Sequence, residues 1–185
     1  MKDQTDVRTI YILLTRSETY FSRLIHLATK ADYTHSSIGF EGPAGPFYSF
    51  ARKNPQMMLP AGLIQERAGR GFFGLHPHIP CRLYELKVSE STYQDICRRV
   101  EEMYADKERY HYNLLGTVAA FFRFGRLKRR HHYFCSQFVA EMLIESGAAE
   151  LPNPSALSRP EDFRHVAEVQ QIFQGKVGAL ANWAA

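Results

Sequence analysis

The chain has 185 residues, of which 45% are hydrophobic and 13% aromatic, so it can bury a substantial core and is not a disordered tail. Its formal charge of +4 is modest, and no apolar run approaches the ~20 residues that a membrane-spanning helix requires. At ~100–200 residues per domain, this length predicts one domain over residues 1–185.

The first half of the chain predicts four strands and one helix. Ile10 to Thr15 is a short apolar run, typical of a strand buried on both faces, and Ser17 caps a predicted helix that runs to about Lys30. A second strand is expected to begin near His35, and a third, Phe47 to Ala51, follows a turn rich in Gly and Pro. These two strands form a predicted antiparallel hairpin. Cys81 to Val88 alternates with period two, which predicts the fourth strand.

The segment from Asn54 to His78 contains several Gly and Pro residues and little periodicity. We predict a long loop with a short helix there. Loops of this length are usually functional, so we expect it to fold over the functional site. The alternative is that it covers the far face of the sheet, with Phe72 and Phe73 in the core.

Four helices are predicted in the second half of the chain, from apolar residues at helical spacing and from their caps. They are Ser89 to Ala105, Asn113 to Phe122, Tyr133 to Leu143 with Gly147 as C-cap, and Pro160 to about Gln174. The order of strands and helices favours an α+β fold over a parallel α/β sheet.

One segment carries most of the excess positive charge. Its five basic residues, which we call the basic segment, are Arg123, Arg126, Lys128, Arg129 and Arg130. Without them the chain has 18 basic and 19 acidic residues. The segment predicts either a solvated loop or a weak contact with an anionic membrane surface. Nucleic-acid binding is not expected, because no nucleic-acid-binding motif accompanies the cluster.

The three cysteines, Cys81, Cys97 and Cys135, cannot all pair within the chain, and their spacing fits no metal-binding motif. Free thiols suit a reducing compartment, and the N-terminus lacks the long apolar stretch of a signal peptide. We therefore expect a cytoplasmic protein with no disulfide and no bound metal. Cys97 lies in the apolar stripe of a predicted helix, so it is expected to be an unreactive core residue.

Cys135 differs from the other two because it begins a predicted helix. Unpaired N–H groups and the helix dipole favour a thiolate there, and the same groups can hold an oxyanion. A thiolate nucleophile needs a neighbouring base, normally a histidine. Of the eight histidines, His35 is the best placed, since it begins a strand at a sheet edge. From position alone, a buried structural cysteine is an equal alternative.

Two separated motifs resemble the permuted branch of the NlpC/P60 superfamily, which includes permuted papain-like amidases of the YiiX/YaeF type and, more distantly, the lecithin:retinol acyltransferase group. The motifs are Tyr33 to Phe40 and Phe134 to Ala140, and in this branch the histidine strand precedes the cysteine helix, as it does here. Further similar segments are Tyr48-Ser49-Phe50, Tyr112-Asn113-Leu114-Leu115-Gly116 and Ser158-Arg159-Pro160-Glu161-Asp162. The resemblance implies a circularly permuted papain-like fold with a small antiparallel sheet and a core at about 10–165.

The resemblance also implies a third polar residue, often an acid, on the strand after the histidine strand. The matching position is Ser49, which can accept a hydrogen bond from imidazole but stabilises imidazolium less than a carboxylate does. Glu66, in the predicted loop, is the alternative. Tyr48, Arg52 and Lys53 are expected to contact substrate, and the two cations would meet a carboxylate or phosphate.

The leading expectation is a cysteine amidase or peptidase without a cofactor. Cys135 would attack the amide carbonyl of a small amide, a cell-wall peptide or a lipid-like acyl substrate, and His35 would transfer the proton. One alternative is acyl transfer at a membrane surface, with the basic segment as the contact. The other is a non-catalytic binding module of the same fold.

Overall fold

The computed structural model describes residues 6–16, 31–53, 60–122 and 129–183. These residues form an α+β fold built on one eight-stranded sheet with the order β7-β6-β4-β3-β2-β1-β5-β8. The strands are β1 Val7–Thr15, β2 His35–Gly39, β3 Phe47–Arg52, β4 Ala61–Glu66, β5 Pro80–Ser89, β6 His111–Tyr112, β7 His132–Tyr133 and β8 Val169–Lys176. All neighbouring strands pair antiparallel except β6 and β7.

The described residues contain five α-helices: α1 Gly71–Leu75, α2 Glu90–Ala105, α3 Leu114–Phe122, α4 Cys135–Glu145 and α5 Val177–Trp183. Short 3-10 turns occur at Lys107–Arg109, Ser155–Leu157 and Pro160–His165. The apolar stripe of α2 and the buried side of α4 form the main core with one face of the sheet. Helices α1 and α5 cover the other face in a smaller apolar cluster.

Strand β1 lies near the middle of the sheet, and its side chains alternate between the two cores. Ile12 and Leu14 join the main core, whereas Leu13 joins the smaller one, and all three are fully buried. The prediction of a strand buried on both faces is confirmed. The predicted hairpin is also confirmed, because β2 pairs antiparallel with β3 through Ile38 and Gly39.

Gly39 is required at the closed end of this hairpin. A Cβ atom there would lie 2.7 Å from the Phe47 ring and 2.9 Å from the Pro46 carbonyl oxygen. We therefore expect Gly39→Ala to lower the free energy of unfolding by about 1–3 kcal/mol, the usual cost of overpacking. Thermal denaturation should show a fall of about 2–4 °C in Tm for each kcal/mol. An unchanged Tm would contradict the close packing of this turn.

Helix predictions from capping residues agree well with the structure. Helix α2 begins after Ser89, whose hydroxyl accepts a hydrogen bond from the Thr92 N–H, and α3 begins after Asn113, whose side chain accepts one from the Gly116 N–H. Gly147 follows α4 with a φ of 68°, the left-handed conformation expected of a C-cap glycine. The predicted helix from Ser17 to Lys30 and residues 123–128 of the basic segment lie outside the described residues.

Two predictions are wrong. The segment predicted as a long loop contains strand β4, whose pattern is hidden by Pro60 and Gly62 at its beginning. The predicted last helix stops as a 3-10 turn at His165, and Val169–Lys176 forms β8 instead. Pairing with β5 decides the second case, since the fate of an edge strand depends on its partner more than on its own propensity.

The described helices are all short of the length and apolarity that crossing a membrane would take.

Candidate active site

The hairpin and helix α4 bring His35 and Cys135 together. His35 is the first residue of β2, and Cys135 is the first residue of α4, which packs against β2 and β3. Ladder pairing between β2 and β3 covers only Ile38 and Gly39, so the main chain near Ser36 is open towards the helix. The Ser36 N–H hydrogen-bonds to the Cys135 sulfur.

The side chain of Cys135 is stabilised as a thiolate, although the residue is only 3% exposed. Burial raises the pKa of this thiol. Its hydrogen bond with His35, the charge of the imidazolium and the N–H groups of Ser36 and Ser136 lower the pKa by more, so the net direction is downward. Helix α4 supplies one of these donors because its first N–H groups have no partner within the helix. Cys135 therefore has the electropositive surroundings of a reactive cysteine.

His35 joins the thiolate to a carboxylate. Its Nε2 lies 2.8 Å from Glu66 Oε2, and the side chains of the two residues are only 12% and 8% exposed. Burial lowers the pKa of His35, but the charge of Glu66 and the hydrogen bonds with Cys135 and Glu66 outweigh it and raise the pKa to about 10. Because Nε2 faces Glu66, Nδ1 is the nitrogen left for Cys135. The three side chains thus form a thiolate–imidazolium–carboxylate row.

Of the two candidates for the third residue, Glu66 contacts the imidazole. The Ser49 hydroxyl instead donates a 2.6 Å hydrogen bond to the Ser36 carbonyl, at the point where β2 and β3 diverge. Ser49 is completely buried and bridges the two strands there. Its role is to position the backbone of Ser36, whose N–H binds the sulfur, and the placement of Ser49 beside the ring is corrected accordingly.

The three residues expected to bind substrate have different surroundings. Tyr48 packs its ring near Tyr104, and its hydroxyl accepts a hydrogen bond from Gln65. The Lys53 ammonium lies 2.6 Å from a Glu108 carboxylate oxygen. The Arg52 guanidinium lies over the ring of Phe72 in α1, 4.7 Å from its centroid.

Only part of the Asn54-to-His78 segment, which was expected to fold over the site, can be described, since 54–59 lie outside the described residues. Of the described part, Glu66 reaches His35 and so forms a wall of the site. Phe73, in contrast, is 2% exposed in the smaller core, as the alternative to the lid proposed. The Asn54-to-His78 segment therefore contributes one residue to the site and another to the smaller core on the far face of the sheet.

Tyr112 belongs to the site and received no role from the sequence. It lies in β6 and pairs with Tyr133 of β7. Tyr133 is two residues before Cys135 in the chain. Thr117 Oγ1 donates to the Tyr112 hydroxyl at 3.3 Å. Burial and the Cys135 charge raise its pKa, so the phenol stays protonated and can donate a hydrogen bond. The Tyr112-to-Gly116 resemblance was the only signal pointing to this tyrosine.

The other cysteines differ from Cys135. All three are free, and no disulfide joins the described cysteines, as predicted. Burial raises the pKa of Cys81 to about 12 and that of Cys97 to about 11. Cys97 is half-buried rather than fully buried, because it lies at the margin of the α2 stripe. Among the described residues, no three His, Cys, Asp or Glu side chains cluster as metal ligands would.

Comparison of the chain with protein-family models and with curated proteins finds no match. The chemistry of the site is therefore read from its geometry. A buried cysteine whose thiol pKa is lowered, an imidazole held by a carboxylate, and N–H and phenol donors are the components of nucleophilic acyl chemistry.

Proposed function

We propose that the protein is a cysteine-dependent amidase or peptidase with a permuted papain-like fold of the NlpC/P60 kind. The observation that carries the proposal is the row formed by Cys135, His35 and Glu66, in which the thiol pKa is lowered and the imidazole pKa is raised. Burial alone raises the pKa of a structural cysteine, as it does for Cys81. The order of the histidine strand and the cysteine helix adds support through the resemblance.

In the proposed mechanism, the Cys135 thiolate attacks an amide carbonyl and forms a tetrahedral oxyanion. The N–H groups at the start of α4 and the Tyr112 hydroxyl would donate hydrogen bonds to the developing charge. The His35 imidazolium gives its proton to the leaving amine as the C–N bond breaks. Neutral His35 then takes a proton from water, which attacks the thioester and releases the acid. Glu66 stabilises the imidazolium and fixes the orientation of the ring.

The substrate class follows from the resemblance, which implies cell-wall peptide fragments, other small amides or lipid-like acyl donors. Each presents a carbonyl carbon to the sulfur, so an activated ester tests the shared chemistry without knowledge of the natural substrate. The non-catalytic alternative would retain the fold but form no acyl-enzyme.

The experiment uses 4-nitrophenyl acetate as acyl donor and intact-mass and peptide mass spectrometry as readouts. We expect one acetyl group on Cys135, release of nitrophenol faster than in buffer, and no adduct in Cys135→Ser. Cys97→Ser, the matched control, should acylate normally. Acylation of Cys81 or Cys97 at rates equal to Cys135, or no adduct at all, would contradict the proposed function and favour a binding module.

The same chemistry at a membrane surface is the second candidate, because α3 exposes an apolar face. Leu114, Leu115 and Phe122 are 48%, 62% and 43% exposed. Within the basic segment, Arg129 and Arg130 are exposed as well, and the sequence adds three more cations just after α3. Exposed apolar side chains beside cations suit the surface of an anionic bilayer. Bound there, the acyl-enzyme would transfer its acyl group to a lipid or amine acceptor instead of water.

Vesicle sedimentation tests this second candidate. The protein should bind vesicles of phosphatidylcholine with phosphatidylserine, and high salt or Leu115→Glu should weaken that binding. Leu75→Glu, at a leucine of α1 that is 64% exposed, is the matched control and should bind like the unmodified protein. Equal binding to vesicles of phosphatidylcholine alone, or none to either, would argue against it.

A further inference from the structure

Arg52 is a partly buried cation that the proposed chemistry does not use. Its guanidinium stacks on Phe72 with 4.7 Å between Cζ and the ring centroid. Within the described parts of the chain, none of the N–H groups of the Arg52 guanidinium has a hydrogen-bond or ion-pair partner. A stacked guanidinium is held in one plane, and its donors form a fork that matches a carboxylate or phosphate.

The charged side chains near Arg52 already have partners of their own. Burial lowers the pKa of Arg52, and the charge of Glu66 opposes that effect only in part. The Glu66 carboxylate hydrogen-bonds to His35 instead. Lys53 pairs with Glu108. Arg52 therefore carries a positive charge at the edge of the site with donors that nothing in the described structure satisfies.

The strand register places Arg52 at the same end of the hairpin as His35. The hydrogen bond from Ser49 Oγ to the Ser36 carbonyl keeps β3 close to β2 where their ladder has ended. Since the two strands are antiparallel, His35, which precedes Ser36, and Arg52, which follows Ser49, lie at the end of the hairpin away from its turn. Arg52 is also near enough to Glu66, which binds His35, for the carboxylate charge to act on its pKa.

We propose that Arg52, stacked on Phe72, binds an anionic group of the substrate several atoms from the carbonyl that Cys135 attacks. The inference rests on the proposed function and narrows its substrates to acyl donors that carry a carboxylate or a phosphate. A neutral amide would leave the guanidinium unpaired in a half-buried position, whereas an anion satisfies its donors.

The first test compares two acyl donors of similar length, mono-(4-nitrophenyl) glutarate and the neutral 4-nitrophenyl butyrate. We expect kcat/KM to favour the glutarate ester by about 10-fold or more, consistent with a charge-assisted pair. Arg52→Gln should remove this preference, so that the two esters react with similar kcat/KM, and Arg52→Lys should retain part of it. Arg67→Gln, which removes an exposed arginine near Glu41, is the matched control and should keep the full preference.

The second test does not require turnover. Glutarate, but not neutral glutaramide, should slow the alkylation of Cys135 by iodoacetamide, and Arg52→Gln should abolish that protection. Inorganic phosphate forms a separate arm: stronger protection by phosphate than by glutarate would assign a phosphate-bearing substrate. Absence of acylation by any ester would refute the proposed function, while the protection experiment still decides the role of Arg52. Equal protection by glutarate and glutaramide, or protection that survives in Arg52→Gln, would overturn the inference.

Discussion

Replacing His35 by alanine is expected to slow acylation of Cys135 about 10²–10⁴-fold, the range typical of a lost general acid–base. The variant removes the strongest influence that lowers the thiol pKa, and burial, which raises it, is then left opposed only by two N–H groups. At neutral pH the sulfur should therefore be a protonated thiol. The rate of acetyl transfer from 4-nitrophenyl acetate measures the effect.

His165→Ala is the matched control, because that histidine is exposed and is the last residue of the final 3-10 turn. Its acylation rate should equal that of the unmodified protein. If the acylation rate of His35→Ala fell by less than about threefold, another group would have to activate the sulfur, since loss of a general base usually lowers the rate by more than this.

Replacing Glu66 by glutamine is expected to shift the alkaline limit of activity downward by more than one pH unit. In the unmodified protein the imidazolium persists up to its pKa of about 10, because the Glu66 charge outweighs the effect of burial. Glutamine keeps the shape and the hydrogen bond but not the charge, so the pKa should fall towards or below the ordinary value of 6.5. Activity should then decline through neutral pH, and kcat/KM at pH 8 should fall about 10–100-fold.

The pH profile of Ser49→Ala separates the two candidates for the third residue. Ser49 donates to the Ser36 carbonyl, so its loss should reduce stability and leave the alkaline limit in place. A downward shift of the alkaline limit in Ser49→Ala, together with an unchanged profile in Glu66→Gln, would make Ser49 and not Glu66 the third residue.

The two central residues were accessible to sequence reasoning because their positions depend on local structure. Cys135 begins a helix whose apolar residues are contiguous, and His35 begins a strand bounded by clear turn signals. Helix starts and strand starts are encoded within a few residues, so each could be selected before the fold was known. Their contact across 100 residues came from the family resemblance, since spacing in the chain carries no information on distance.

Glu66 and Tyr112 depend on tertiary structure. Strand β4 has no clean alternation and begins beside Pro60 and Gly62, so the carboxylate could only be offered as a loop alternative. Tyr112 lies in a two-residue strand that exists because it pairs with β7 and β4. Elements this short produce no periodic pattern. The electrostatics of the site were therefore less predictable than the position of its cysteine.

The paired shifts of Cys135 and His35 also explain why the site tolerates so much burial. A buried thiolate or a buried imidazolium alone would be costly, and each would neutralise by shifting its pKa in the direction that burial favours. Together with Glu66 they form a hydrogen-bonded row in which each charge has an opposite neighbour. Removing His35, which lies between Cys135 and Glu66, should therefore change the environment of both side chains.

The most direct test of this account is the ultraviolet absorbance of the thiolate as a function of pH, taken as the difference between the unmodified protein and Cys135→Ser. The difference isolates Cys135 and does not depend on access of a reagent to a buried sulfur. Because the imidazolium and the N–H donors lower the pKa of Cys135, we expect a transition below the ~8.5 of a free thiol. A transition at or above that value would contradict the thiolate–imidazolium pair at the centre of the proposed function.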